Sequence, residues 1–419
     1  MNKLGVLFAI AAIACIIGCG KKSDAPSNKY GLSTKNNAIW WVAADITNII
    51  PYLAHDAGAQ YAYPLIWEPL NNTNPRTQEL IPWMASLPEV SADHLTYTYT
   101  MNPKAKFNDG HPVTGEDVMF SFKCVMNPYQ LETTQTRSSV NSVDSISYVN
   151  GDKMKVAFHL NHPYFQMPIV LGGGYVPILP KHIFDPKNLT DQMSWKDIKS
   201  AAPKNPVFMQ QSEEFKDPAK ARDPKMMVGS GAYLFQEWAT NDHISFKRDT
   251  NYWAKDMAWG EAYPDQIVFK TITDPTAAVT ALKGKDIDLM DIVPAAAFVQ
   301  LDSVKQPYLR KDTVYYNSRV FVEWNAERPI FKTKNMRWAL SHLINREQIV
   351  REIAKGLGKP INGPINFTQP HYDATLKPIT YDPELAKKML AEEGWTDTDG
   401  DGVLDKVING KKTPLHFTI

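Results

Sequence analysis

Residues 95–122 have the sequence LTYTYTMNPKAKFNDGHPVTGEDVMFSF, and this stretch decides the fold class. Over residues 95–101 large apolar side chains alternate with threonine, a period of two that indicates a half-buried strand. The triplet at 108–110, Asn-Asp-Gly, is typical of a tight turn. Thr114 precedes two acidic residues and then apolar residues at helical spacing, which predicts a capped helix. Strand, turn and helix follow one another here within one short segment.

A second pattern of the same kind lies further along the chain. Residues 266–272 have the composition of a strand, and Asp274 followed by proline predicts a helix start. Gly284 ends this helix, and Ile287 and Leu289 begin another alternating stretch. A helix that joins two strands favours a parallel pair covered by helices, so the expected class is α/β, or mixed α+β.

The second half of the chain contains further helices. Apolar residues at helical spacing predict one over 335–344, and Asn345 is the expected cap of the next. Asp382 with the following proline begins a third helix, which ends at Gly394. Residues 185–228 are polar and weakly periodic, which predicts a long surface excursion.

Composition limits the functional classes. The 419 residues contain 45 Lys and Arg against 45 Asp and Glu, so the formal net charge is zero. A nucleic-acid binder would show a basic excess, and we expect none of that function here. Cys124 is the single cysteine outside the N-terminal segment, and one thiol forms neither an internal disulfide nor a zinc site. We expect it to be a small buried residue.

The N-terminus predicts export. Lys3 is followed by an apolar run over residues 4–17, which is too short to span a bilayer and has the length of a signal-peptide core. The run ends in Ile-Ile-Gly-Cys at 16–19, which resembles a bacterial lipobox. An ordinary secretory signal or an uncleaved anchor are the alternatives.

The lipobox interpretation divides the N-terminal segment into two parts. Residues 1–18 would be a lipoprotein signal peptide, and Cys19 would carry the lipid, because its thiol can form a stable thioether. Residues 19–36 are polar and contain Gly and Pro, which is typical of a flexible tether between membrane and folded domain.

Six segments in order then resemble the bacterial extracellular solute-binding proteins of family 5, which serve oligopeptide, dipeptide and nickel importers. The segments are WEPL at 67–70 with ELIPWMA at 79–85, the stretch 95–122, ILPKHIF at 178–184, GSGAY at 229–233, ALKG at 281–284 with DID at 286–288, and WN at 324–325 with MRWAL at 336–340 and INRE at 344–347. Each segment alone is weak, but their common order makes the match strong.

The resemblance implies a two-lobed, periplasmic-binding-protein-like fold of the large, three-subdomain type that closes on its ligand by a hinge. The main subdomain of the first lobe would comprise 37–65 and 175–265, and the inserted subdomain 66–174. The second lobe would comprise 266–419. Family members extend past the equivalent of the last residue, and 414–419 resembles a strand just entered, so we expect an incomplete second lobe.

The resemblance also implies where a ligand would bind. A receptor for many peptides must bind the peptide backbone by strand-like hydrogen bonds. The candidate residues are Trp41, Ala43, Ala44, Asp45, Trp324 and Asn325. The alternatives are that Trp40 and Trp41 both belong to the core and Asp45 caps a turn, and that Trp324 is buried beside an asparagine that holds a turn.

A loop near the C-terminus has oxygen ligands at the spacing of an EF-hand. Its candidate ligands are Asp397, Asp399, Asp401 and Asp405. A calcium loop needs an acid at the twelfth position, where this chain has Ile408. An acidic surface turn is therefore the preferred interpretation, and we expect no metal site and no cofactor.

These observations predict a non-enzymatic function, because the sequence contains neither an HExxH nor a GxSxG motif. The predicted function is peptide capture for an ABC importer, with the permease and its ATPase as partners. A nickel chelate or an oligosaccharide as ligand, a sensor without transport, and a secreted hydrolase are the alternatives. We expect a monomer, lipid-anchored to the membrane and facing the periplasm or the cell exterior.

Overall fold

The structure is a computed structural model, which describes most of the chain after the N-terminal segment. The described residues are 36–77, 79–200, 205–218, 220–301, 305–315, 319–361, 363–367 and 372–418. The predicted signal peptide, Cys19 and nearly all of the predicted tether lie outside them. None of the helices in the described part has the length and hydrophobicity needed to span a bilayer.

Strands and helices alternate along the described residues. The strands are β1 (Asn37–Val42), β2 (Asn71–Thr73), β3 (Leu80–Pro82), β4 (Glu89–Val90), β5 (Thr96–Thr100), β6 (Val143–Val149), β7 (Asp152–Leu160), β8 (Tyr233–Ala239), β9 (His243–Arg248), β10 (Gln266–Thr271), β11 (Asp405–Ile408) and β12 (Lys411–Pro414). The α-helices are α1 (Ala57–Ala62), α2 (Gly115–Met126), α3 (Thr134–Ser139), α4 (Met167–Gly172), α5 (Lys181–Phe184), α6 (Trp195–Lys199), α7 (Pro206–Phe215), α8 (Pro275–Gly284), α9 (Ala295–Gln300), α10 (Lys334–His342), α11 (Arg346–Glu352) and α12 (Pro383–Glu392).

The first sheet has the order β1-β10-β9-β8, and β1 is its key strand. β1 runs parallel to β10 along its whole length, whereas the other pairs of the sheet are antiparallel. Val42 belongs to the largest hydrophobic cluster, and Trp40 packs against that cluster. Trp41 belongs to a second cluster, against which Ile39 packs. Because successive side chains of a strand face opposite sides, β1 separates two cores.

The other edge of β1 pairs with the segment that follows α8. Leu289 forms a parallel bridge with Trp40, and its carbonyl accepts a hydrogen bond of 2.9 Å from the Trp41 N–H. The chain thus leaves β10, passes through α8 and returns to the far side of β1. Asp274 caps α8 by accepting from the N–H groups of Thr276 and Ala277. The first strand and the helix of the predicted unit are confirmed, whereas its second strand is reduced to the single bridge at Leu289, on the far side of β1 from β10.

The second four-stranded sheet is antiparallel, with the order β4-β5-β7-β6. Tyr97 and Tyr99 of β5 are buried, and the threonines between them are half-buried, as the alternation at 95–101 predicts. α2 follows with a capping box, in which Thr114 and Asp117 each accept a hydrogen bond from the other's backbone. Local side-chain chemistry therefore fixes where α2 begins.

The predicted surface excursion at 185–228 is wrong in part. It contains the amphipathic helix α7, whose Phe208 and Phe215 are fully buried in the largest cluster. Asn127 anchors α7 from below, because its amide donates to the Phe208 carbonyl over 2.8 Å and to Gln211 over 2.7 Å. The apolar stripe of α7 is short, so the polar composition of residues 185–228 hid the helical periodicity of this segment. Cys124 is buried nearby, as expected.

Residues after 305 form a third, smaller cluster around α10 and α12. The caps predicted for two helices there are confirmed, since Asn345 accepts from Gln348 N–H and Asp382 from Leu385 N–H. The strand predicted at 414–419 is wrong for its described part, because residues 415–418 are not in a strand. The strand present is β12, which ends at Pro414 and pairs with β11 as a hairpin.

We predict that Gly231→Ala destabilises the protein by about 1–3 kcal/mol, the usual range for overpacking. Gly231 donates its N–H to the Ile66 carbonyl over 2.7 Å, and a Cβ at this position would lie 2.3 Å from the Leu65 carbonyl oxygen. Backbone on the opposite side cannot rotate away as a side chain can. Urea unfolding followed by tryptophan fluorescence measures the loss.

Gly358→Ala is the matched control, because the nearest atom to a Cβ there is Ala354 Cβ at 3.9 Å. We expect its free energy of unfolding to equal that of the wild type. Equal stabilities of the two variants would contradict the close packing of 229–231 against 65–66.

Candidate functional site

The candidate site begins where β1 ends. Val42 is the last paired residue of the strand, and its carbonyl accepts from Ile272 N–H over 3.1 Å. Ala43 and Ala44 follow in a bend, and both are exposed. Neither peptide N–H donates to another backbone group of the described residues. This strand end therefore presents unpaired backbone groups and small side chains, which a second extended chain can approach closely.

An aromatic pair flanks this strand end. Trp40 stacks on Tyr61 of α1 with 4.8 Å between ring centroids, and its other neighbour is Phe269 of β10 at 5.7 Å. The Tyr61 hydroxyl donates to the Asp291 carboxylate over 2.6 Å. This bond links α1 to the segment after α8, so three separate parts of the sequence meet around Trp40.

Two polar atoms at this place are buried and have no hydrogen-bond partner among the described residues. They are Trp40 Nε1 and Asp45 Oδ1. A buried polar group without a partner costs about 1–3 kcal/mol, so native proteins seldom leave one. The donor precedes the exposed alanines in the sequence and the acceptor follows them. Both indicate a site where water or a ligand supplies the missing hydrogen bonds.

Trp41 lies on the opposite face of β1 from Trp40. Its side chain is buried in the second cluster, and its Nε1 donates to the Ile272 carbonyl over 2.8 Å. The alternative interpretation, a core tryptophan, thus describes its surroundings. The tryptophan of β1 that stacks on Tyr61 is Trp40. The period-two rule for strands could have separated the two tryptophans, whereas nothing local in the sequence signals Tyr61 or Asp291.

The second pair of candidates lies in the third cluster. The Trp324 ring packs against Phe331 at 5.4 Å and Phe417 at 6.0 Å, and it is half-buried. Asn325 is exposed, and its side chain accepts from Glu327 N–H over 3.1 Å. Residues 321–325 are not in a strand. The structure therefore brings Ala43, Ala44 and Asp45 together, but no described contact joins them to Trp324 or Asn325.

The acidic loop uses its carboxylates within the chain. Asp397 accepts from the N–H groups of Gly400 and Gly402 over 2.7 and 3.0 Å, which holds the turn. Asp405 accepts from Thr398 and forms an ion pair with Lys412, which also contacts Asp399. Asp401 accepts a hydrogen bond from the N–H of Val403, two residues further along. A lysine ammonium thus stands where a calcium ion would be needed, consistent with the preferred interpretation as a surface turn.

A buried carboxylate, that of Glu68, lies close to Trp83 and to residues 252–253. Glu68 is surrounded by neutral donors: Trp83 Nε1 donates over 2.8 Å, Trp253 Nε1 over 3.2 Å, and the Tyr252 hydroxyl also donates to it. Burial raises the pKa of the Glu68 carboxyl, and the hydrogen bonds from Tyr252, Trp83 and Trp253 offset part of this rise. Both carboxylate oxygens are occupied, so this group holds β3, the 67–70 segment and the 252–253 segment together.

A family model for bacterial extracellular solute-binding proteins, family 5, middle part, matches residues 79–418. The chain belongs to this family. Members of the family are extracellular or periplasmic solute-binding proteins, and the family assignment made from the six segments is confirmed.

Two curated relatives illustrate the range of the family. The oligopeptide-binding protein AppA of Bacillus subtilis is 29% identical over 329 residues, which are 78% of this chain and 52% of AppA. The nickel-binding periplasmic protein of Escherichia coli is 24% identical over 364 residues, 86% of this chain and 60% of that protein. This chain therefore spans between half and two thirds of the length of these relatives.

The structure of AppA from Bacillus subtilis in complex with a nonapeptide superposes with a TM-score of 0.69 at 24% identity, covering 90% of this chain and 67% of that one. This likeness establishes the fold as mixed α/β of the periplasmic-binding-protein type. The division into subdomains at the residue boundaries given above stays a prediction.

We predict that the wild type loses stability relative to Glu68→Gln as the pH rises from about 4 to 7. The ordinary pKa of the carboxyl is 4.5, and the folded value is higher. Between these two values the folded state binds more protons than the unfolded state, so the free energy of unfolding falls with increasing pH. Glutamine does not titrate, and the difference between the two proteins isolates this effect.

Urea unfolding at several pH values measures this difference. Glu392→Gln, the same substitution at an exposed helix position, is the matched control. A Glu68→Gln difference that stays constant between pH 4 and 7 would mean that burial does not govern this carboxyl.

Proposed function

We propose that this protein is the substrate-binding component of an ABC importer, and that it captures oligopeptides or dipeptides outside the cytoplasmic membrane. The observation that carries the proposal is the exposed end of β1, where Ala43 and Ala44 have unpaired backbone groups beside the unpartnered Asp45 Oδ1. The permease and its ATPase would receive the ligand. The protein would act as a monomer and would not be an enzyme.

The strand end suits a peptide for a physical reason. A receptor of broad specificity gains affinity from backbone hydrogen bonds and tolerates many side chains around them. Ala43 and Ala44 follow β1 in a bend with exposed, unpaired backbone groups, so an extended peptide could form hydrogen bonds with them there. Asp45 would accept an N–H or ammonium group of the ligand, and the stacked Trp40 and Tyr61 rings would form one wall.

A nickel chelate is the second candidate, because a relative over 86% of this chain is named a nickel-binding protein. Among the described residues, the candidate site contains no group of three side chains that could hold a metal ion. The groups of three or more His, Cys, Asp and Glu side chains close enough to share an ion, among the described residues, are Asp109 with His111 and His182, and Asp397 with Asp399 and Asp405. Neither group includes residues 40–45, so the proposal favours peptide.

The N-terminal segment supports attachment to the membrane as part of the same proposal. Residues 1–18 would be cleaved as a signal peptide, the thiol of Cys19 would carry the lipid, and residues 19–36 would be the tether. Together these features would place the binding site outside the cell, or in the periplasm, near the permease.

Native mass spectrometry tests the ligand class. We expect the protein, expressed from residue 20 to the end of its reading frame, to carry a ladder of bound masses spaced by amino-acid residues. Asp45→Ala should weaken binding of the identified peptides about tenfold or more, because it removes a hydrogen bond to a charged group. Titration calorimetry with one synthetic peptide measures this loss.

Asp256→Ala is the control, since Asp256 is exposed and lies outside the strand-end site. A single non-peptide adduct or a metal-containing mass would replace peptide by the nickel or sugar alternative. Unchanged peptide affinity in Asp45→Ala would move the site away from the end of β1.

We predict that Cys19→Ser abolishes incorporation of labelled fatty acid and moves the protein from the membrane fraction to the soluble fraction. Only the thiol at the cleavage site would form the thioether. Cys15→Ser, four residues earlier in the apolar run, is the matched control and should leave labelling intact. Labelling that persists in Cys19→Ser, or loss in Cys15→Ser alone, would contradict lipid attachment at Cys19.

A further inference from the structure

The turn at residues 107–111 and helix α5 bring two imidazoles and a carboxylate together. Asp109 and His111 lie in the turn after β5, and His182 lies in α5, more than 70 positions away in the sequence. One oxygen of Asp109, Oδ2, lies 2.7 Å from His182 Nε2 and 3.2 Å from His111 Nδ1. One ligand atom from each residue lies within 4.8 Å of both others.

Backbone hydrogen bonds fix the positions of these side chains. The turn is closed by the bond from Phe107 N–H to the His111 carbonyl, 2.8 Å, and Gly110 has the positive φ of 94° that the turn requires. The N-terminus of α5 is held by the bond from Lys181 N–H to Asp117 of α2, 2.9 Å. Both halves of the cluster are therefore anchored before any ligand arrives, which lowers the entropic cost of binding.

The chemistry of the cluster is that of a transition-metal ligand set. Two imidazole nitrogens with one carboxylate oxygen suit zinc and its neighbours, whereas calcium and magnesium prefer oxygen ligands alone. Two ligand atoms on one tetrahedral zinc lie roughly 3.3 Å apart, close to the separations seen here. Small rotations of the side chains would be enough to turn the three atoms toward one ion.

The charges around Asp109 leave room for a cation. Among the described residues no lysine or arginine forms an ion pair with this carboxylate, and its ion-pair partners are the two histidines. The acidic loop differs, because Lys412 occupies its centre. The His111 side chain is 60% exposed and that of His182 31%, so an ion from solvent can reach the cluster and waters can complete its coordination.

We propose that Asp109, His111 and His182 form a binding site for a divalent transition metal ion such as Zn²⁺, separate from the ligand site at the end of β1. At present His182 Nε2 shares a hydrogen bond with the Asp109 carboxylate, and His111 Nδ1 lies within ion-pair distance of the same oxygen. On metal binding, each imidazole would carry its N–H on the other ring nitrogen, and the freed lone pair would face the ion. The 4.1 Å stack of the two rings would open slightly.

The site would join the turn after β5 to α5 by coordination bonds in addition to the present hydrogen bonds. Because the metal binds the folded protein, saturating Zn²⁺ should raise the free energy of unfolding. The proposed peptide site does not share these residues. Peptide binding should therefore be unchanged by loss of the metal.

Titration calorimetry with Zn²⁺ tests the proposal on protein that starts at residue 20 and has been stripped with a chelator. Accessible thiols are alkylated beforehand so that none contributes a ligand. We expect one ion to bind per chain. His111→Gln and His182→Gln should each weaken binding about tenfold or more. Co²⁺ absorption should show a coordination geometry that both variants lose.

His55→Gln is the matched control, because His55 is an exposed histidine outside the cluster. It should bind Zn²⁺ as the wild type does. His111→Gln leaves the bond between Asp109 and His182 in place, so this variant remains informative if His182→Gln folds poorly. No saturable binding in the wild type, or wild-type affinity in His111→Gln, would overturn the proposal.

Discussion

The parallel pairing of β1 with β10 is the constraint on which the rest of the structure depends. Asn37 and Gln266 begin this pairing from positions 229 residues apart. Leu289 closes the other edge of β1, and a hydrophobic cluster covers each face. These contacts cover the last part of β1, and the backbone becomes exposed again at Ala43 and Ala44, after Val42, where the candidate site begins.

Carboxylates show how surroundings, rather than residue type, determine the role of a side chain here. Glu68 is buried among neutral donors and serves as a structural anchor. Asp405 meets a lysine and completes a turn. Asp109 meets two imidazoles, and Asp45 directs one buried oxygen at no partner. The last two environments are unfinished within the described chain, and they carry the two binding proposals.

Features that depend on near neighbours in the sequence could be predicted from it. The caps at Thr114 and Asp274 were predictable because each side chain bonds to backbone within a few residues. The alternation in β5 was predictable because successive side chains of a strand face opposite sides. The environment of Trp41 was not, since its indole donates to a carbonyl 231 residues away. The pairing of Tyr61 with Asp291 likewise depends on tertiary structure. The strand end was predictable from family resemblance, but the face that presents Trp40 required the fold.

The enclosure of β1 also has a consequence for the order of events during synthesis. Both neighbours of β1 lie beyond residue 265, so the first sheet cannot be completed until the ribosome has made that part of the chain. At roughly 5–20 residues per second, a ribosome needs about 12–50 s to proceed from Val42 to Leu289. During that interval β1 lacks both of its neighbours, whereas all strands of the antiparallel sheet at residues 89–160 have already been made.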